Sequence, residues 1–175
     1  MKTLFLVGYM GCGKSTLGRK LARRLGVDFV DTDALVEERE GASVADVFRY
    51  EGEERFRQAE RRVLDEVIAG NPFVVVSTGG GLPTWSDNMA CMNAVGNTVY
   101  LRRSPEQIAC RLSPYGRRKR PRLQGLSDDE LVEFMRNDMA VRDPFYTQAS
   151  LVVDCDPMSD DELVEYIVKP FSARG

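Results

Sequence analysis

Gly8-Tyr9-Met10-Gly11-Cys12-Gly13-Lys14-Ser15-Thr16 places three glycines, a lysine, a serine and a threonine in nine residues. The spacing fits G-x-x-x-x-G-K-[ST], with Gly8, Gly13, Lys14 and Ser15 in register. These residue types suit one task. Glycines let backbone N–H groups turn inward around phosphate oxygens, lysine reaches the β- and γ-phosphates, and the serine hydroxyl can ligate Mg²⁺. An apolar run, Thr3–Val7, leads into the loop, and an amphipathic stretch, Thr16–Leu25, leaves it. That is strand, loop and helix, with the positive end of the helix dipole at the phosphates. The chain is expected to bind a nucleoside triphosphate through Gly11, Cys12, Gly13, Lys14, Ser15 and Thr16. The Cys12 side chain is expected to point away, leaving open a sensitivity to thiol reagents.

Three further clusters could carry chemistry. Asp31 and Asp33 follow a second apolar run. In an open parallel sheet ligands bind at the carboxyl ends of strands. One carboxylate could therefore hold a metal's water shell and the other accept from a substrate hydroxyl. The competing role is a helix N-cap by Asp33. Gly79-Gly80-Gly81 follows Val74-Val75-Val76-Ser77-Thr78. It allows positive φ and a close approach of ligand to backbone, where a tight turn alone rarely needs three glycines. Arg117-Arg118-Lys119-Arg120-Pro121-Arg122 gathers five cations. They are read as a phosphate clamp rather than a nucleic-acid patch or a solvated loop. Arg57 and Arg142 look like ordinary solvated helix residues by themselves, and Pro144 is expected to kink or end its helix.

The elements that would position these groups alternate. Strands are predicted at Thr3–Val7, Asp28–Val30, Phe73–Ser77, Thr98–Leu101 and Leu151–Val153. Helices are predicted at 15–25, 34–40, 44–50, 53–69, 87–94, 105–112, 128–147 and 160–168. This alternation implies a parallel sheet covered on both faces. Ser43, Ser104, Ser127 and Ser159 each read as helix caps. Residues 113–125, with Pro114, Gly116, Pro121 and Gly125, lack apolar periodicity and read as a lid.

A length of 175 residues suits a single domain spanning 1–175. The net charge of −3 argues against nucleic-acid binding. No apolar run approaches a membrane span and no leader is evident, so a cytoplasmic location is expected. Histidine is absent, which hands acid–base work to carboxylates. The four cysteines have no metal-ligand spacing and read as reduced thiols.

Taken in order, GYMGCGKST, Asp31-Thr32-Asp33, Phe56-Arg57-Gln58-Ala59-Glu60, Gly79-Gly80-Gly81, Arg120-Pro121-Arg122 and Arg142-Asp143-Pro144-Phe145-Tyr146 resemble the shikimate kinases. These belong to the nucleoside-monophosphate-kinase-like group of phosphate-loop proteins, and the resemblance spans nearly the whole chain. It implies a three-layer α/β/α fold with a five-stranded parallel sheet in the order 2-3-1-4-5. It implies a substrate-binding helical region near 33–61 and a lid near 113–125. The implied reaction is transfer of the ATP γ-phosphate to the 3-hydroxyl of shikimate, with Mg²⁺. The resemblance assigns Asp33, Lys14 and Arg120 to catalysis. Arg57 and Arg142 would hold the substrate carboxylate, with Asp33 on the ring hydroxyls and Gly79, Gly80 and Gly81 lining the site. Ser15 would bind the metal with Asp31 behind it, and Arg111 would border the adenine. Arg122 stands where the family pattern carries leucine; Arg120 keeps the Arg-Pro context and is chosen over Arg118. A monomer is expected. The rival readings are another small-molecule kinase, for gluconate or a nucleoside monophosphate, and a non-catalytic nucleotide sensor.

Overall fold

The computed structural model describes residues 2–70, 73–112 and 123–172. Five parallel strands form one sheet: β1 (Leu4–Val7), β2 (Asp28–Asp31), β3 (Val74–Ser77), β4 (Asn97–Arg102) and β5 (Leu151–Asp154), ordered β2-β3-β1-β4-β5. β1 and β3 are buried along their whole lengths, as expected of central strands covered on both faces. The register places Leu4 beside Val75 and Asn97, and Asp31 beside Ser77.

The strand order and the chain's direction fix the layers. From β1 the chain steps past β3 to the sheet edge at β2 through α1 (Lys14–Leu25). It then returns step by step through α2 (Thr32–Glu40), α3 (Val44–Glu51), α4 (Glu53–Gly70), α5 (Asn88–Val95), α6 (Pro105–Arg111) and α7 (Asp128–Tyr146). Right-handed crossovers in opposite directions put α1 on one face and the returning helices on the other. The last helix, α8 (Asp160–Ser172), packs back against α1. Among the described residues no helix is long and apolar enough to cross a membrane.

The helix ends follow their local chemistry. Ser127 Oγ accepts from Glu130 N–H at 3.3 Å while Ser127 N–H donates to Glu130 Oε2 at 2.8 Å, a closed capping box. Ser159 and Glu162 repeat it, and Ser43 and Ser104 accept from Asp46 and Gln107 N–H. Pro144 neither stops α7 nor forms its end: the helix runs to Tyr146. Proline removes one donor there, and the final turn is held by Thr147 N–H to the Asp143 carbonyl and Gln148 N–H to that of Phe145.

Two apolar cores result. The larger fills both faces of the sheet, with Phe5, Leu6, Val75, Val76, Leu101 and Ile108 fully enclosed. The smaller joins α2, α3 and α4 through Val36, Val47, Phe56, Ala59 and Val63. Glu40, at the end of α2, accepts from Arg55 at 2.9 Å and Arg62 at 2.7 Å, which ties α2 to α4 beside that core.

Candidate functional site

The phosphate loop links β1 to α1. Its glycines have a backbone reason to be there: φ is 145° at Gly8, 78° at Gly11 and 104° at Gly13, where a side chain would be strained. Lys14 is buried, and its ammonium donates to the Gly8 carbonyl at 2.8 Å and the Tyr9 carbonyl at 2.9 Å. Thr16 is exposed on the first turn of α1. Cys12 is 1% exposed, so a thiol reagent reaches it only if the loop opens. Arg103, itself buried, donates to the Cys12 carbonyl at 3.0 Å and the Cys155 carbonyl at 3.2 Å, fastening the loop to the ends of β4 and β5. Arg111 lies 3.4 Å from Asp160 and flanks Gly13, where a β-carbon would sit 3.6 Å from its Nη2.

Three oxygen-bearing side chains meet at the mouth of the loop. Ser15 Oγ donates to Asp31 Oδ2 at 2.7 Å and lies 3.2 Å from Ser77 Oγ. Hard oxygen donors beside a phosphate cradle fit Mg²⁺, which takes few protein ligands and completes its shell with phosphate and water. Asp31 also caps α2: its Oδ1 accepts from Asp33 N–H at 3.1 Å. The cap is therefore Asp31 and not Asp33, because α2 begins at Thr32, two residues earlier than the sequence pattern suggests. Asp33 is released for other work.

Asp33, Arg57, Arg142 and the three glycines come from separate elements and converge. The Thr32 hydroxyl accepts from Gly79 N–H at 2.9 Å, and the Tyr146 hydroxyl donates to the Gly80 carbonyl at 2.5 Å. The turn is thereby stitched to α2 and α7. None of Gly79, Gly80 and Gly81 has positive φ, contrary to the expectation from the run. Space explains them instead. A β-carbon on Gly81 would overlap the Arg57 guanidinium, and one on Gly79 would sit 2.5 Å from both Asp33 Oδ1 and Glu60 Oε1.

Arg57 is not solvated. Its side chain is 11% exposed, pairs with Glu60 at 2.6 Å and Glu53 at 3.2 Å, and lies over the Phe48 and Phe56 rings at 5.7 and 5.4 Å. Arg142 is 13% exposed, pairs with Asp138 at 3.2 Å, and its guanidinium carbon lies 5.5 Å from the Tyr9 ring centre. The Tyr9 hydroxyl donates to the same Asp138 at 2.8 Å, so the phosphate loop helps aim a residue on α7. Burial, aided by the Asp31 charge, pushes Asp33 up to about 6, against the pull of Lys14 and Arg57. Burial likewise pushes Glu60 up to about 7, opposed by Arg57.

Glu60, Arg103, Tyr146 and Asp138 carry no role that residue types and spacing assign. The Arg57–Glu60 pair had a signal, since positions three apart share a helix face. Arg103 had none. Arg120 and the rest of the basic run Arg117–Arg122 lie outside the described residues, as does most of the lid assigned to 113–125.

The family model described as "Shikimate kinase" matches residues 10–171. A shikimate kinase of Parabacteroides distasonis is 47% identical over 158 residues, covering 90% of each chain. The solved shikimate kinase of Bacteroides thetaiotaomicron superposes with a TM-score of 0.89 at 41% identity, covering 98% of each chain. That of Acinetobacter baumannii, solved in complex with shikimate, gives 0.87 at 32% identity, over 99% of this chain and 94% of that one. The chain belongs to the shikimate kinase family and is an ATP-dependent kinase.

Proposed function

We propose that the chain moves the γ-phosphate of ATP to the 3-hydroxyl of shikimate, giving 3-phosphoshikimate and ADP. The observation that carries this reading is the convergence of Asp33, Arg57 and Arg142 around Gly79–Gly81, beside Lys14 and Ser15. Two forked guanidiniums suit a carboxylate, and a carboxylate at the strand end suits a hydroxyl.

The residues divide the work. The loop from Gly11 to Thr16 holds the phosphates, with Arg111 against the nucleotide base. Lys14 leaves the Gly8 and Tyr9 carbonyls for the β- and γ-phosphates and stabilises charge as the phosphoryl group moves. Arg57 and Arg142 fix the substrate by its carboxylate, while the backbone of Gly79–Gly81 lies along the ring. Asp33 accepts from the 3-hydroxyl and orients it in line, and a carboxyl near 6 is ionised at neutral pH and able to take the proton late. Ser15, with Asp31 behind it, would hold Mg²⁺, which neutralises charge on the phosphates when bound. Arg120 would add positive charge from a lid over 113–125, and residues 33–61 form the acceptor-binding part of a single domain. We place the protein in the cytoplasm as a monomer that binds neither nucleic acid nor membrane.

The test is ADP release by the purified protein with Mg²⁺ and ATP, alone and with shikimate, gluconate, AMP or CMP. Stimulation by shikimate alone, with a sharply raised KM in Arg57→Ala and Arg142→Ala, is the expected result. Stimulation by another acceptor would discard the substrate, and ATP binding without any stimulation would favour a sensor. Near-normal turnover by Asp33→Asn would remove the base role.

A further inference from the structure

Glu60 is the most enclosed carboxylate of the acceptor site, with a side chain 1% exposed. One oxygen accepts from Arg57 Nη1 at 2.6 Å. The other shares the space over Gly79 with Asp33: each of Glu60 Oε1 and Asp33 Oδ1 is 2.5 Å from the same point, so the two are at most about 5 Å apart. The charges facing Glu60 are Arg57 and Glu53 on its own helix α4, Asp33 on α2 and Arg142 with its partner Asp138 on α7. Lys14 and Asp31 act on Asp33 from the sheet side. Among these described residues the cations Arg57, Arg142 and Lys14 already face Asp31, Asp33, Glu60 and Asp138, with Glu53 at the exposed rim. An acceptor carboxylate arriving on Arg57 and Arg142 adds another anion and competes with Glu60 for the guanidinium. Two carboxylates this close in a dry site resist being ionised together.

We propose that Glu60 takes up one proton from solvent as the acceptor carboxylate docks on Arg57, so that charge enters the site already compensated. The inference rests on the acceptor reading above and deepens it: Glu60 becomes a positioning residue that also sets the pH dependence of acceptor binding. No covalent bond to the substrate is involved. A carboxylate and a proton become a carboxylic acid, whose O–H is then a donor beside Asp33. Burial already holds Glu60 high in the free protein, at about 7, and docking moves it further in the same direction.

The experiment is calorimetric titration with shikimate, without nucleotide, in two buffers of different ionisation enthalpy at pH 5 and pH 8. Heat that changes with buffer counts protons. At pH 8 the wild type is expected to take up roughly 0.5–0.9 proton per site, and close to none at pH 5, where Glu60 is already protonated. Glu60→Gln keeps an acceptor oxygen for Arg57 and cannot titrate, so its heats are expected to be buffer-independent at both pH values. Correspondingly, the wild-type dissociation constant rises with pH above 7 and that of the variant stays flat. Infrared difference spectra of the wild type cover a misfolded variant, because docking at pH 8 should produce a protonated-carboxyl carbonyl band. Buffer-independent wild-type heat without that band would overturn the inference, as would Glu60→Gln taking up the same proton as wild type. Absence of any binding heat would instead sink the substrate reading, and the inference with it.

Discussion

The phosphate loop and the proposed acceptor pocket are built by different means. The loop is nine consecutive residues whose backbone takes positive φ at Gly8, Gly11 and Gly13, with Arg103 beneath it and the main core around it. The pocket is assembled from side chains on α2, α4 and α7 around a glycine turn, and rests on a small apolar core of its own. A site made by one segment is specified locally. A site made by several depends on how their frames are held.

That contrast exposes itself to test. Lys14→Met should remove the loop's one buried cation and lower kcat roughly 10³-fold. The thermal midpoint and the acceptor affinity should hardly change, and a large loss of acceptor binding would mean the two regions are not separable. Phe56→Ala should empty the small core at a cost of about 3 kcal/mol. Amide exchange should then quicken in α2–α4 while β1 and β3 stay protected. Uniform quickening along the chain would merge the two cores into one. Gly81→Ala should push the Arg57 guanidinium aside and raise the acceptor KM roughly tenfold, near 1.4 kcal/mol, with the KM for ATP unchanged. An equal rise in both KM values would show that the turn serves the nucleotide as well.

The smallest expected effect is electrostatic. Asp33 and Glu60 both sit above their ordinary values near 4, at about 6 and about 7. The folded protein therefore keeps their protons longer than the unfolded chain does. Their contribution to stability is complete below the unfolded values and is lost as pH rises through 6 and 7. Across pH 6 to 8 Glu60 should account for about 1 kcal/mol of lost stability in denaturant titrations, and Glu60→Gln should flatten that slope. A slope unchanged by the substitution would assign it elsewhere.

The same contrast explains what could be read from residue order. The strands, their alternation with helices and the loop were legible because each rests on local pattern: apolar runs, glycine spacing and serine caps; the sheet order came only with the resemblance. Asp33 was legible as a residue past a strand, although its capping role belongs to Asp31, since the helix starts where the side chain of Asp31 can reach back. Arg57 and Arg142 looked solvated because an arginine on a helix shows no sign of what faces it; only the resemblance singled them out. Of the two reasons the glycine run offered, positive φ does not hold; the crowding of Gly79 by Asp33 and Glu60 and of Gly81 by Arg57 is a property of the assembled site and not of the turn. Arg103 gave no signal, because its partners are carbonyl oxygens supplied by distant segments.

The placement of α2–α4 has a bearing on how acceptor preference can change. The three helices hang between the edge strand β2 and its neighbour β3, carry their own core, and bring Asp33, Arg57 and Glu60 with them. Lys14, Ser15, Gly79–Gly81 and Arg142 stay with the frame. Residues 32–70 thus form a cassette between two strands held in the β2–β3 register. Recombination between related kinases could exchange this block, the proposed base Asp33 included, and redraw part of the acceptor contacts while leaving the phosphate loop in place. Asp31, which caps the first cassette helix with one oxygen and accepts from Ser15 with the other, is the seam any viable chimera has to preserve.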